Sequence, residues 1–159
     1  MKKIILLLIL AVGLLSFNRP NKNITTEKLT EDQLNFIKEN YKWDSEEFLF
    51  VNFRQPESSC HYDNYQNLKN SSKWWTEFYS KMELQNVRNI FVYSDKLRAK
   101  KVIDSKNHFA DINNFFLNQI FSNDKTCYGI LIINKKGEYQ KKAGEYMQKD
   151  IVYLISQFD

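Results

Sequence analysis

Cys60 and Cys127 are the only cysteines in this chain, and no other residue type offers comparable reactivity at a telling position. Cys60 lies in the polar stretch from Arg54 to Asn70, between Ser58-Ser59 and His61. A thiol beside an imidazole is a pairing in which a positive ring can lower the thiol pKa and favour the nucleophilic thiolate. Cys127 stands directly before the apolar run Tyr128 to Ile133. No Gly-rich phosphate loop, paired-carboxylate motif or Ser/His/Asp signature accompanies them. No cofactor is expected.

The elements that must position these thiols are legible in the hydrophobic pattern. Thr30-Glu31-Asp32-Gln33 reads as a capping box opening a short helix to about Asn40, with Leu34, Ile37 and Tyr41 at helical spacing. Glu47 to Phe53 is nearly continuously apolar, as a central strand covered on both faces should be. The polar stretch that follows reads as a long loop that becomes helical after Asp63. Ser71 or Ser72 then caps a helix from Lys73 to Leu84, whose Trp74, Trp75, Phe78 and Met82 form one apolar face. Both tryptophans read as core. Asn89 to Ser94 is the next strand. The charged segment Asp95 to Asn107 has Leu97, Val102 and Ile103 as its anchors, and His108 reads as a surface residue of a polar loop. Asp111 heads a helix carrying Ile112, Phe115, Phe116, Gln119 and Ile120. Two strands, Tyr128 to Ile133 and Glu138 to Ala143, flank a turn at Lys135-Lys136-Gly137, and a helix from Lys149 to Phe158 closes the chain.

Strands joined through helices should be parallel with right-handed crossovers, and the Gly137 hairpin adds an antiparallel edge. The expected architecture is α/β, a mixed sheet with helices on both faces. That layout, with the strand Phe48 to Phe53 and Cys60 just beyond it, resembles the thioredoxin-like superfamily over roughly residues 45–158. Val51-Asn52-Phe53 looks like the strand that feeds the redox motif in exported members. There the family carries C-x-x-C at a helix start; this chain has Cys60 alone, about one residue out of register, with His61 near the place of the second cysteine. The family's cis-proline falls at Tyr128, so it is absent, and the residue before it, which faces the reactive sulfur in that fold, is Cys127.

The resemblance therefore implies that Cys60 and Cys127 are neighbours in space. Three readings follow from it. One is a structural disulfide, which on the chain-entropy account would stabilise by roughly 4 kcal/mol. Another is a redox pair with Cys60 as nucleophile, Cys127 as resolving thiol and His61 as modulator of the Cys60 pKa. The third is two unpaired thiols, with Cys127 a small buried hydrophobe. A peroxiredoxin-like reading fails because Glu57 stands where that pattern needs a threonine. A metal site from Cys60, His61, His108 and Cys127 would resemble the copper chaperones of the same fold, but Asn64 occupies the place of their second cysteine. No metal is expected.

Lys2 and Lys3 precede an apolar run from Ile4 to Leu15, and the first acid is Glu27. This is the layout of a secretory signal peptide, shorter than the roughly 20 residues that span a bilayer. Residues 1–20 are expected to be a signal peptide or an uncleaved N-terminal anchor, 21–29 a polar spacer and 30–159 a single thioredoxin-like domain. Small residues at Ala11 and Gly13 suit cleavage only loosely, so retention stays open. The leader and composition have a bacterial look, which implies a periplasmic or secreted protein. Subtracting the leader's three basic residues from 23 leaves 20 against 19 acids, too even a balance for a nucleic-acid footprint. The sequence thus points to an exported, non-catalytic domain with a binding or structural role, its partner an envelope protein, and membrane contact only through a retained leader. The alternative is an atypical thiol–disulfide oxidoreductase using Cys60 and Cys127, so whether the chain is an enzyme stays open.

Overall fold

The computed structural model describes residues 27–57 and 59–158. The leader and most of the spacer lie outside the described residues. The elements run β1 (Glu27–Lys28), α1 (Glu31–Tyr41), β2 (Phe48–Arg54), α2 (Leu68–Ser80), β3 (Val87–Tyr93), α3 (Lys96–Ala99), β4 (His108–Ala110), a 3-10 turn (Ile112–Asn114), a π turn (Phe116–Ile120), β5 (Tyr128–Asn134), β6 (Glu138–Ala143) and α4 (Gln148–Ile155). The strands form one six-stranded sheet in the order β1-β6-β5-β2-β3-β4. β2 is parallel to β3 and antiparallel to β5, so it is central. The four expected strands and their directions are those of the sequence reading. β1 lies inside the segment read as spacer and pairs with β6, and β4 adds a parallel edge beside β3.

Alternation along β2 divides the interior into two layers. Leu49, Val51 and Phe53 pack with Ile37 and Tyr41 of α1 and with Phe109 and Phe116. Phe50 faces the other way, toward Leu68, Trp75 and Tyr79 of α2 and Ile151 and Leu154 of α4. Helices thus cover both faces, and the large side chains buried on each contribute roughly 1.5–3 kcal/mol apiece.

Local signals explain the ends of several elements. The Thr30 hydroxyl accepts the Gln33 N–H at 3.2 Å while the Thr30 N–H donates to Gln33 Oε1 at 2.9 Å, the reciprocal box expected from the sequence. Gly137, at φ +79°, closes the β5–β6 turn in a conformation that side-chain-bearing residues rarely adopt. At Gly129 a Cβ would stand 2.7 Å from the Phe121 ring, so only glycine lets β5 pass there.

Three expectations are corrected. α2 begins at Leu68, not near Lys73, because Ser71 is buried inside its first turns and gives its hydroxyl to Asp63 instead of capping the helix. The helix headed by Asp111 is broken: Asn113 and Asn114 adopt φ +56° and +52°, and the Asp111 carboxylate instead accepts the N–H groups of Phe116 and Leu117 at 3.0 and 2.8 Å. Asparagine tolerates this left-handed region better than most residues, so the pair kinks the chain at little cost. Leu97 is 79% exposed and anchors nothing, whereas Val102 and Ile103 do pack on the second layer.

Candidate functional site

Two polar residues break the apolar run of β2 on the face that looks toward α2 and α4. Asn52 is fully buried and makes four hydrogen bonds. Its amide nitrogen donates to Asn89 Oδ1 at 2.7 Å and the Ile90 carbonyl at 2.9 Å. Its carbonyl oxygen accepts the hydroxyls of Tyr79 and Tyr146 at 2.6 and 2.7 Å. Burial raises the pKa of both phenols, so both remain protonated donors.

Arg54, two residues on, is 2% exposed. Its guanidinium lies 4.1 Å from the centre of the Trp75 ring, 5.1 Å from Tyr128 and 5.5 Å from Phe91, and Nη2 donates to the Tyr146 hydroxyl at 3.2 Å. Among the described residues Nη1 has no hydrogen-bond partner and no carboxylate is within ion-pair distance. A guanidinium is weakly hydrated, and aromatic faces are the environment that best replaces water around it. The buried charge is held by rings.

Beyond Arg54 the chain turns into the loop that carries both Cys60 and Asp63. Cys60 and Cys127 form a disulfide, with their Cα atoms 5.8 Å apart and a sequence separation of 67. The pairing implied by the resemblance is present, and the unpaired-thiol reading does not hold. Gln55 extends the β2–β5 ladder by donating its N–H to the Cys127 carbonyl at 2.9 Å, which brings the loop alongside the start of β5. Cys60 is 2% exposed, and its sulfur accepts the Glu57 N–H at 3.2 Å; Cys127 is half-buried. A thiolate from solvent therefore has freer access to Cys127 than to Cys60, and the departing Cys60 sulfur would already hold a hydrogen bond. His61 is exposed, and among the described residues its ring has no hydrogen-bond partner.

Asp63 is 7% exposed and accepts the Ser71 hydroxyl and, at 3.2 Å, the Trp75 indole N–H. Two adjoining clefts open above it. One, about 420 Å³, is lined by Cys60, His61, Cys127, Thr126 and Lys125 among others. The second, about 490 Å³, is lined by Trp74, Trp75, Tyr146 and Met147. Tyr62, Asp63, Tyr128 and Glu145 line both, so the two form one groove beside the disulfide.

His108 is not in this groove, and it is half-buried on an edge strand instead of lying in a loop. It sits on β4, stacked 4.9 Å from Phe91, with Nδ1 3.1 Å from the Tyr93 hydroxyl and Nε2 3.4 Å from that of Ser72. Among the described residues no three His, Cys, Asp or Glu side chains converge as metal ligands. Burial lowers the His108 pKa below its ordinary 6.5, with Asp104 opposing and Arg54 assisting. The unfolded chain then binds a proton near pH 6.5 that the folded chain refuses. Stability from this residue is full above about pH 6.5 and is lost as pH falls toward the lowered folded value. His108→Gln should therefore flatten the loss of stability between about pH 7 and 5, read by urea denaturation at each pH; parallel profiles for the two proteins would refute the assignment.

The sequence reading placed the cysteines but missed Asn52, Arg54, Asp63, Tyr79 and Tyr146. The available signal was Asn52 and Arg54 at i and i+2 in an otherwise apolar strand, which puts two polar groups on one buried face. Of the tryptophans read as core, Trp75 is 3% exposed and Trp74 is 47% exposed, in the groove wall. No family model, curated protein or solved structure matches this chain. No helix among the described residues is long and apolar enough to cross a membrane.

Proposed function

We propose that this chain is an exported, non-catalytic domain of thioredoxin-like topology that binds a protein partner of the cell envelope through the groove beside its disulfide. One observation carries the reading. Both thiols are bonded to each other, with Cys60 buried, while Tyr62, Trp74 and Met147, at 45%, 47% and 61% exposed, line the same groove. Large apolar side chains gathered in a concave site mark binding surfaces more often than chemistry. The thioredoxin-like part rests on the parallel β2–α2–β3 unit followed by the antiparallel β5–β6 hairpin and α4, with Cys127 just before β5. Export rests on Lys2, Lys3 and the apolar run, and on a disulfide that an oxidising compartment would preserve.

The oxidoreductase reading keeps one supporting observation, the freer access to Cys127. Equilibrating the protein in graded glutathione buffers and alkylating free thiols separates the two. A bond that survives below about −300 mV, with no reduction of insulin disulfides, fits a structural bridge. A midpoint between about −120 and −270 mV with measurable insulin reduction would replace the binding function by a catalytic one. A fusion of residues 1–25 to a reporter active only outside the cytoplasm should give signal, and a silent fusion would remove export from the proposal.

A further inference from the structure

We propose that the groove recognises a cationic side chain, lysine or arginine, on an extended segment of the partner protein, with Asp63 as the carboxylate that receives it; the inference rests on the binding reading above. Asp63 is 93% removed from solvent, since only 7% is exposed, yet both of its protein donors converge on Oδ1. Among the described residues Oδ2 has no donor and no cation within ion-pair distance, although the residue lines both halves of the groove. Oδ2 still meets the solvent of the groove, so a cation arriving there can pair with it without first displacing a protein donor.

The surroundings select the sign of that partner. Glu145 adds a second carboxylate to the lining; of the cations nearby, Arg54 lies against the Trp75 and Tyr128 rings and is no part of the groove wall, and Lys125 lines only the disulfide end. The aromatic end therefore holds two negative charges against one buried positive one. Trp74 and Tyr62 present exposed rings beside those carboxylates, and indole and phenol faces attract an ammonium or guanidinium. Met147, 61% exposed, offers an adaptable apolar wall for the methylene stem of a long side chain. The groove is open to solvent along its rim, so it would bury little of a small free cation. A side chain carried by a polypeptide gains further contacts from its neighbours, which favours a protein segment as the occupant.

The test uses the oxidised full-length chain and blocked pentapeptides Ala-Ala-X-Ala-Ala, with X lysine, arginine, norleucine or glutamate, and tetramethylammonium chloride as a free-cation control. Binding is read from shifts of the Trp74 indole N–H signal in nitrogen-15 correlated NMR spectra. The lysine and arginine peptides should bind at least about tenfold more tightly than the norleucine peptide, and the glutamate peptide more weakly still, the size of preference expected of a charge-assisted contact. Asp63→Asn should reduce lysine affinity to the norleucine level. Glu145→Gln, at an exposed position that leaves the fold untouched, should narrow the preference about threefold, so the inference stays open to refutation if Asp63→Asn fails to fold. Equal affinity for lysine and norleucine peptides would overturn the charge assignment and leave the groove a binding surface. Tighter binding of tetramethylammonium than of the lysine peptide would overturn the protein segment as occupant. No perturbation by any peptide would overturn the binding reading itself.

Discussion

Cys127→Ser is expected to lower the stability of the oxidised protein by about 4 kcal/mol and its melting temperature by roughly 15 °C. The bond links residues 67 apart, so its loss returns to the unfolded chain the freedom of a long loop. The same substitution should leave the reduced protein nearly unchanged, because serine is close to cysteine in size and Cys127 is only half-buried. Thermal melts of both proteins with and without reductant make the comparison. A loss of several kcal/mol in the reduced form would show that Cys127 acts through packing. An unchanged oxidised protein would show that residual structure in the unfolded chain already restricts the loop without the bridge.

Asn52→Ala is expected to cost about 3–5 kcal/mol, since it strips the acceptor from two buried tyrosine hydroxyls and each unsatisfied group costs roughly 1–3 kcal/mol. The loss should be read from urea denaturation at constant slope, so that a change in midpoint reports stability. Tyr79→Phe in the Asn52→Ala background should recover part of it, because one stranded hydroxyl is then gone. Additive effects of the two substitutions would mean that they are not coupled through this network, contrary to a bond of 2.6 Å. The cost has consequences for the groove as well. Tyr146, held by Asn52 and Arg54, forms part of its wall, so a loosened Asn52 should also weaken whatever binds there.

Much of the frame was legible in the sequence because it follows from neighbours in the chain. The Thr30–Gln33 box joins residues three apart, the β5–β6 turn needs only a residue that tolerates positive φ at 137, and the strands declare themselves by continuous apolar runs. Where two local preferences competed, packing chose. Ser71 could cap a helix, but a buried Asp63 eight residues earlier claims its hydroxyl and the helix starts sooner. Asn113 and Asn114 sit in an amphipathic pattern that reads as helix, and their left-handed backbone breaks it.

The site was visible only in part. The two cysteines stood out by type, and resemblance placed them together. Asn52, Arg54 and Tyr146 gave no such signal, because the contacts that define them join residues 92 and 94 apart in the chain. A strand's alternation says which face Arg54 occupies but not which rings will meet it there. That depends on how α2 and the segment before α4 pack over the sheet. The sequence by itself determined the four main strands, the central place of one of them and the pair of thiols. Only the tertiary structure decided that a buried guanidinium would be held by aromatic rings while a buried carboxylate was left facing a groove, because desolvation acts on groups the chain brings together from far apart.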